Sequence, residues 1–160
     1  MSNIEVRSLS FRKEEVSELL LPKLLGRVFH FTTSSGWAQI QSCGYIETNE
    51  TGKYRGTSIH SHESMGRHLG AVCLFDLSKC SQEDLLRKDW ILYDYFERRW
   101  KREPSFFLFL GENHFPALTT LDQIELCLKK EKMYIPKIES WHIGNLPLSH
   151  LEMIYQVQIN

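Results

Sequence analysis

Two stretches of this chain leave little freedom in how it can fold. They are Gly70-Ala71-Val72-Cys73-Leu74-Phe75-Asp76-Leu77 and Ser105-Phe106-Phe107-Leu108-Phe109-Leu110. Each is an unbroken apolar run of strand length, and Gly111 closes the second. Runs of that kind belong to strands buried inside a sheet. Residues 27–32, 45–48, 133–143 and 151–159 read as further strands. Helix formers fill 12–25, interrupted near Pro22, as part of a helical extension over 1–26. A short helix is expected from Gly36 to Ser42, capped by Thr33-Ser34-Ser35 and stopped by Gly44.

Two more helices follow. The first spans 81–101, with Ser81 as its cap and Asp84 three residues on. Its Trp90, Tyr93, Phe96 and Trp100 recur as one stripe, which reads as core. The second runs from about Thr120 to Lys130, capped by Thr119 or Thr120. Strands alternating irregularly with helices, and paired strands at the end, point to a mixed α+β domain. The regular βαβα rhythm is missing. So are GxGxxG and GxxxxGK[ST], which leaves dinucleotide-fold and P-loop readings without support.

A length of 160 residues suits one domain covering 1–160, without repeats or a linker to divide it. The formal net charge of -1 gives no overall basic field for nucleic acid. The basic segment Arg98-Arg99-Trp100-Lys101-Arg102 reads as a solvated helix face. No run approaches the roughly 18 apolar residues of a membrane span, and the charged N-terminus has no apolar signal core. Cys43, Cys73, Cys80 and Cys127 lack CxxC spacing, so a reduced, cytoplasmic protein is expected.

His30 and Thr32 project from one face of the first apolar strand. An imidazole beside a hydroxyl can hydrogen-bond a ribose or an amide. A helix starting at Ser34 or Ser35 would add backbone N–H groups next to them. Glu139 shares a strand face with Lys137 and Trp141, while Ile138, Ser140 and His142 take the other. Beside a bound ribose, its carboxylate would stabilise positive charge developing at the anomeric carbon.

The polar stretch 49–69 reads as a functional loop with a short helix near Ser61 to Leu69. Its Arg67 is a candidate phosphate contact. His60, His62, Glu63 and His68 lack the further ligands that a zinc site needs. Ser58 and Cys43 have no matched base with an orienting acid, and are discounted as nucleophiles.

The order of these phrases resembles the ADP-ribosyltransferase superfamily. The HxT strand is followed by a short helix, the Gly44-Tyr45-Ile46 strand, a Ser/Gly-rich loop, the GAVCLFDL strand and a late strand with one glutamate. The resemblance is greatest to the diphtheria-toxin-like branch with its His–Tyr–Glu trio, and the last two strands are similar to those of DarT-like toxins. It covers most of residues 27–159.

That resemblance implies a split mixed β-sheet with flanking helices, and NAD as substrate. His30 and Thr32 would hold the nicotinamide ribose. Tyr54, or failing it Tyr45, would stack on nicotinamide, and Glu139 would assist its departure. ADP-ribose would then pass to a macromolecular acceptor, protein or nucleic acid, in keeping with a toxin or effector. The arginine-modifying branch carries Glu or Gln two residues before its catalytic Glu, whereas this chain has Lys137. Ser58 imitates that branch's serine motif. A degenerate member of the fold, serving as a binding or interaction module, is the alternative. RNA 2′-phosphate chemistry ranks last, since its arginines are not evident.

Overall fold

The computed structural model describes residues 4–53, 63–84, 87 and 103–160. Eight strands appear among them: β1 (Glu5–Phe11), β2 (Val28–Thr33), β3 (Tyr45–Ile46), β4 (Ala71–Asp76), β5 (Ser105–Leu110), β6 (Glu139–Ile143), β7 (Leu146–Pro147) and β8 (Leu151–Ile159). The α-helices whose bounds fall among the described residues are α1 (Ser34–Cys43), α2 (Met65–His68) and α3 (Leu126–Glu131), and residues 82–84 are helical as well. This is a mixed α and β architecture.

Six strands form one sheet in the order β1-β8-β5-β2-β4-β6, and β3 pairs with β7 in a second, small one. All neighbours run antiparallel except β1 and β8, which are parallel. The two apolar runs lie within the sheet as β4 and β5, and every residue of β5 is buried.

The parity of these strands sorts the core into two layers. Phe29, Phe31, Phe75, Phe107, Phe109, Met153 and Tyr155 share one face, where Val16, Leu20, Leu21 and Leu24 cover them. Phe29 stacks on Phe75 with centroids 5.3 Å apart. Val28, Val72, Leu74, Phe106, Leu108 and Ile154 form the other face, packed with Ile40 of α1, Ile46 of β3 and Leu146 of β7. Beyond the sheet's β6 edge, Trp141 packs with Met65, Ala71 and Ile124.

Several expectations need correction. The leading segment is not wholly helical: residues 5–11 form edge strand β1, paired from Glu5↔Met153 to Phe11↔Ile159. The helix expected over 12–25 is a chain of short turns, Lys13–Glu15, Val16–Leu20 and Leu21–Leu24, with Pro22 in the first turn of the last. The strand expected over 133–143 begins only at Glu139, because Pro136 is followed by Lys137 in the left-handed region at φ 64°. The helix expected from Thr120 divides into a 3-10 turn, Leu121–Gln123, and α3, with Thr120 as the cap.

The Ser81 cap is present, with Ser81 Oγ accepting from the Asp84 amide at 3.1 Å. Most of the helix expected beyond it, including Trp90, Tyr93, Phe96 and Trp100, lies outside the described residues. No helix among the described residues is long and apolar enough to cross a membrane.

Candidate functional site

The β2–β4 ladder closes after two residue pairs, Val28↔Asp76 and Phe29↔Phe75. His30 stands where it ends. Its Nδ1 lies 3.1 Å from the Cys73 carbonyl, which can only accept, so Nδ1 carries a proton. On this face a cavity of about 250 Å³ is lined by His30, Thr32, Gln39, Ile40, Tyr45 and Glu47, among others.

Three local devices shape it. Thr33 Oγ1 caps α1 by accepting from the Gly36 amide at 3.5 Å, and Gly44 stops the helix in the left-handed region at φ 82°. That short helix and the turn after it bring Tyr45 back over β2. Gly36 then lies against Thr32, where an added Cβ would stand 2.1 Å from Thr32 Oγ1. Gly36→Ala is therefore expected to displace the Thr32 hydroxyl and destabilise the fold by about 1–2 kcal/mol, read from its denaturant midpoint.

Of the residues singled out in the sequence, His30, Thr32 and Tyr45 meet at this cavity. Arg67 does not line it. Its Nε donates to the Glu50 carbonyl at 3.2 Å and its guanidinium packs over Gly52, so it ties α2 to the turn near residue 50. The N–H groups at the start of α1 are also engaged: Ser34 donates to the Pro104 carbonyl at 3.1 Å and Ser35 to the Glu103 carboxylate at 3.0 Å. Tyr54, Ser58, His60 and His62 lie outside the described residues, while Glu63 and His68 are exposed. Among the described residues, no three His, Cys, Asp or Glu side chains are grouped to hold a metal.

Glu139 is not a wall of this cavity. Phe29 pairs with Phe75, and Phe75 pairs with Glu139, so these three share one face of the sheet. His30, one residue on from Phe29, projects from the opposite face. The expected pairing of His30 with Glu139 is thereby corrected: the sheet stands between them. In β6 it is Ser140 and His142 that share the face of His30.

The Glu139 carboxylate instead accepts the Ile135 amide at 2.7 Å and Trp141 Nε1–H at 3.1 Å, and bonds the Cys73 thiol. Burial holds its carboxyl above the ordinary carboxylate value. Burial also raises the Cys73 thiol, with the neighbouring carboxylate adding to the effect.

Sequence reasoning missed Gly36, Gln39, Ile40, Cys43, Glu47 and Asn49 as lining residues. The spacing of Gly36, Gln39, Ile40 and Cys43 on one helix was the available signal. Glu47 is held by Lys53 Nζ at 3.0 Å. The site therefore offers an imidazole, hydroxyls, amides, a thiol, the Lys53-paired Glu47 carboxylate and one aromatic ring in a small concavity, groups that can hydrogen-bond a polar ligand. No protein-family model matches this chain, and no curated protein or solved structure matches it either.

Proposed function

We propose that this chain is a binding module of ADP-ribosyltransferase type, which takes the ribose-bearing end of NAD or a similar nucleotide into the His30–Thr32–Tyr45 cavity. One observation carries the reading: those three side chains meet at one cavity, and Glu139 is on the other side of the sheet. The volume of about 250 Å³ is just under the ~300–1,000 Å³ of sites that enclose a drug-sized ligand, so it suits one end of a dinucleotide. The His30 imidazole and the Thr32 hydroxyl are chemically matched to ribose hydroxyls, and the Tyr45 ring to a heterocycle. Transfer chemistry needs a carboxylate at the anomeric carbon; Glu139 is engaged by Ile135 and Trp141 instead, and Glu47, which does line the cavity, is paired with Lys53. A macromolecular acceptor and a toxin or effector role belong to the transferase reading, and a binder needs neither.

Calorimetric titration with NAD and with nicotinamide riboside tests this. Binding to the wild type is expected, roughly tenfold weaker in His30→Ala and unchanged in Glu139→Gln, with no nicotinamide released. Cys43 is an exposed cavity residue, so bound ligand should also slow its alkylation relative to exposed Cys127. Nicotinamide release that Glu139→Gln abolishes would restore the transferase. A wild type that binds neither compound would remove the nucleotide reading altogether.

A further inference from the structure

We propose that His114, His142 and His150 form a proton-operated latch that acts through β7 on β3, the strand that supplies Tyr45 and Ile46 to the His30 cavity. The regulatory meaning of the latch rests on the binding role given to that cavity, but its structural basis is separate. The His114 and His150 rings stack with centroids 3.9 Å apart and planes 15° from parallel. His142 meets His150 edge-on at 6.0 Å. These residues come from the 3-10 turn Glu112–Ala117, from β6, and from the 3-10 turn Leu148–His150 just before β8.

Two of the rings bracket the segment that holds the cavity wall. Between His142 and His150 runs β7, whose Leu146 and Pro147 pair with Ile46 and Tyr45 of β3. The Leu148 amide donates to the Gly44 carbonyl at 3.1 Å, and the Thr48 amide to Asn145 Oδ1 at 3.0 Å. His142 Nδ1 donates to the Gly144 carbonyl at 3.3 Å, which pins the start of the same segment. Whatever moves the cluster therefore moves β7, and β7 is what β3 leans on.

Protonation of His150 is opposed by its surroundings. His150 faces His114 from the turn and His142 from β6, and its buried Nδ1 has no hydrogen-bond partner among the described residues. Glu112, on the turn of His114, is exposed, and Glu152 of β8 is paired with Arg27. No carboxylate among the described residues bonds any of the three rings. Burial lowers the His150 imidazole from its ordinary value, and its two histidine neighbours lower it further. Neutral rings stack, whereas charged ones at this separation repel. Acidification thus opens the stack, loosens β7 from β3 and weakens the cavity.

The sign follows from linkage. A histidine with a depressed folded-state value contributes stability that is present above its unfolded value of about 6.5 and lost as pH falls through the folded value. Amide exchange of Thr48 and Leu148, expressed as protection factors, reads the latch without ligand. Between about pH 7.5 and about pH 5.5, protection should fall roughly tenfold in the wild type and stay level in His150→Gln. His114→Asn, with the same readout, serves if His150→Gln does not fold. Wild-type protection that ignores pH, or variants that lose it as the wild type does, would overturn the latch. NAD binding that persists alongside pH-independent protection removes the latch alone. A working latch without any ligand binding removes the nucleotide reading alone.

Discussion

Glu139→Ala is expected to destabilise the fold by about 2–4 kcal/mol, because it strands the donors that end on this carboxylate in a part-buried site. The Ile135 amide and Trp141 Nε1 both end on this carboxylate, and Trp141 is fully buried. The bond to Ile135 also anchors the turn around Pro136 and Lys137, so that turn should loosen first. The folded-state value of Glu139 is raised, so the stability from its protonated form is present below the ordinary carboxylate value. It is lost as pH rises through the folded value. The deficit of Glu139→Ala should therefore widen on acidification. Denaturant titrations at two pH values check this, and a deficit under about 1 kcal/mol would show that the carboxylate has no structural role.

Leu146→Ala should cost about as much stability, roughly 2–4 kcal/mol, and should reach the ligand as well. Leu146 is fully buried, lies opposite Ile46 across the small sheet, and packs in the same apolar cluster as Ile40. Truncating it leaves a void behind two cavity residues. Leu20 offers a matched control, since it is equally buried but belongs to the cluster on the far face. Leu20→Ala should match the stability loss while leaving nucleotide affinity intact in the folded fraction. Equal loss of affinity in both variants would mean that binding follows global stability and not the β3 wall.

How far the sequence could be read depended on whether local chemistry or long-range pairing decides each feature. β4 and β5 were legible because burial on both faces demands unbroken apolar runs. The bounds of α1 were legible because Thr33 and Gly44 act on their own neighbours. β1 was not, since its residues are mostly exposed and its partner β8 lies at the other end of the sequence. The face taken by Glu139 depends on register through β4, which no local pattern encodes. A partial signal was present: Glu139 shares its side of β6 with Trp141, and a tryptophan on that side implies core. The short β7 escaped for another reason, because two residues carry no periodicity.

The position of β8 governs the order in which this sheet can be assembled. Although it is the last strand in sequence, it is an interior one, with β1 on one side and β5 on the other. A chain growing from its N-terminus therefore makes β1 long before β1 has anything to pair with. The β5 edge waits as well, bare until residues 151–159 are made. Contacts of such wide sequence separation close slowly, and waiting apolar edges are where chains associate wrongly. During synthesis, the hazard for this protein is an unfinished sheet whose β5 edge is open.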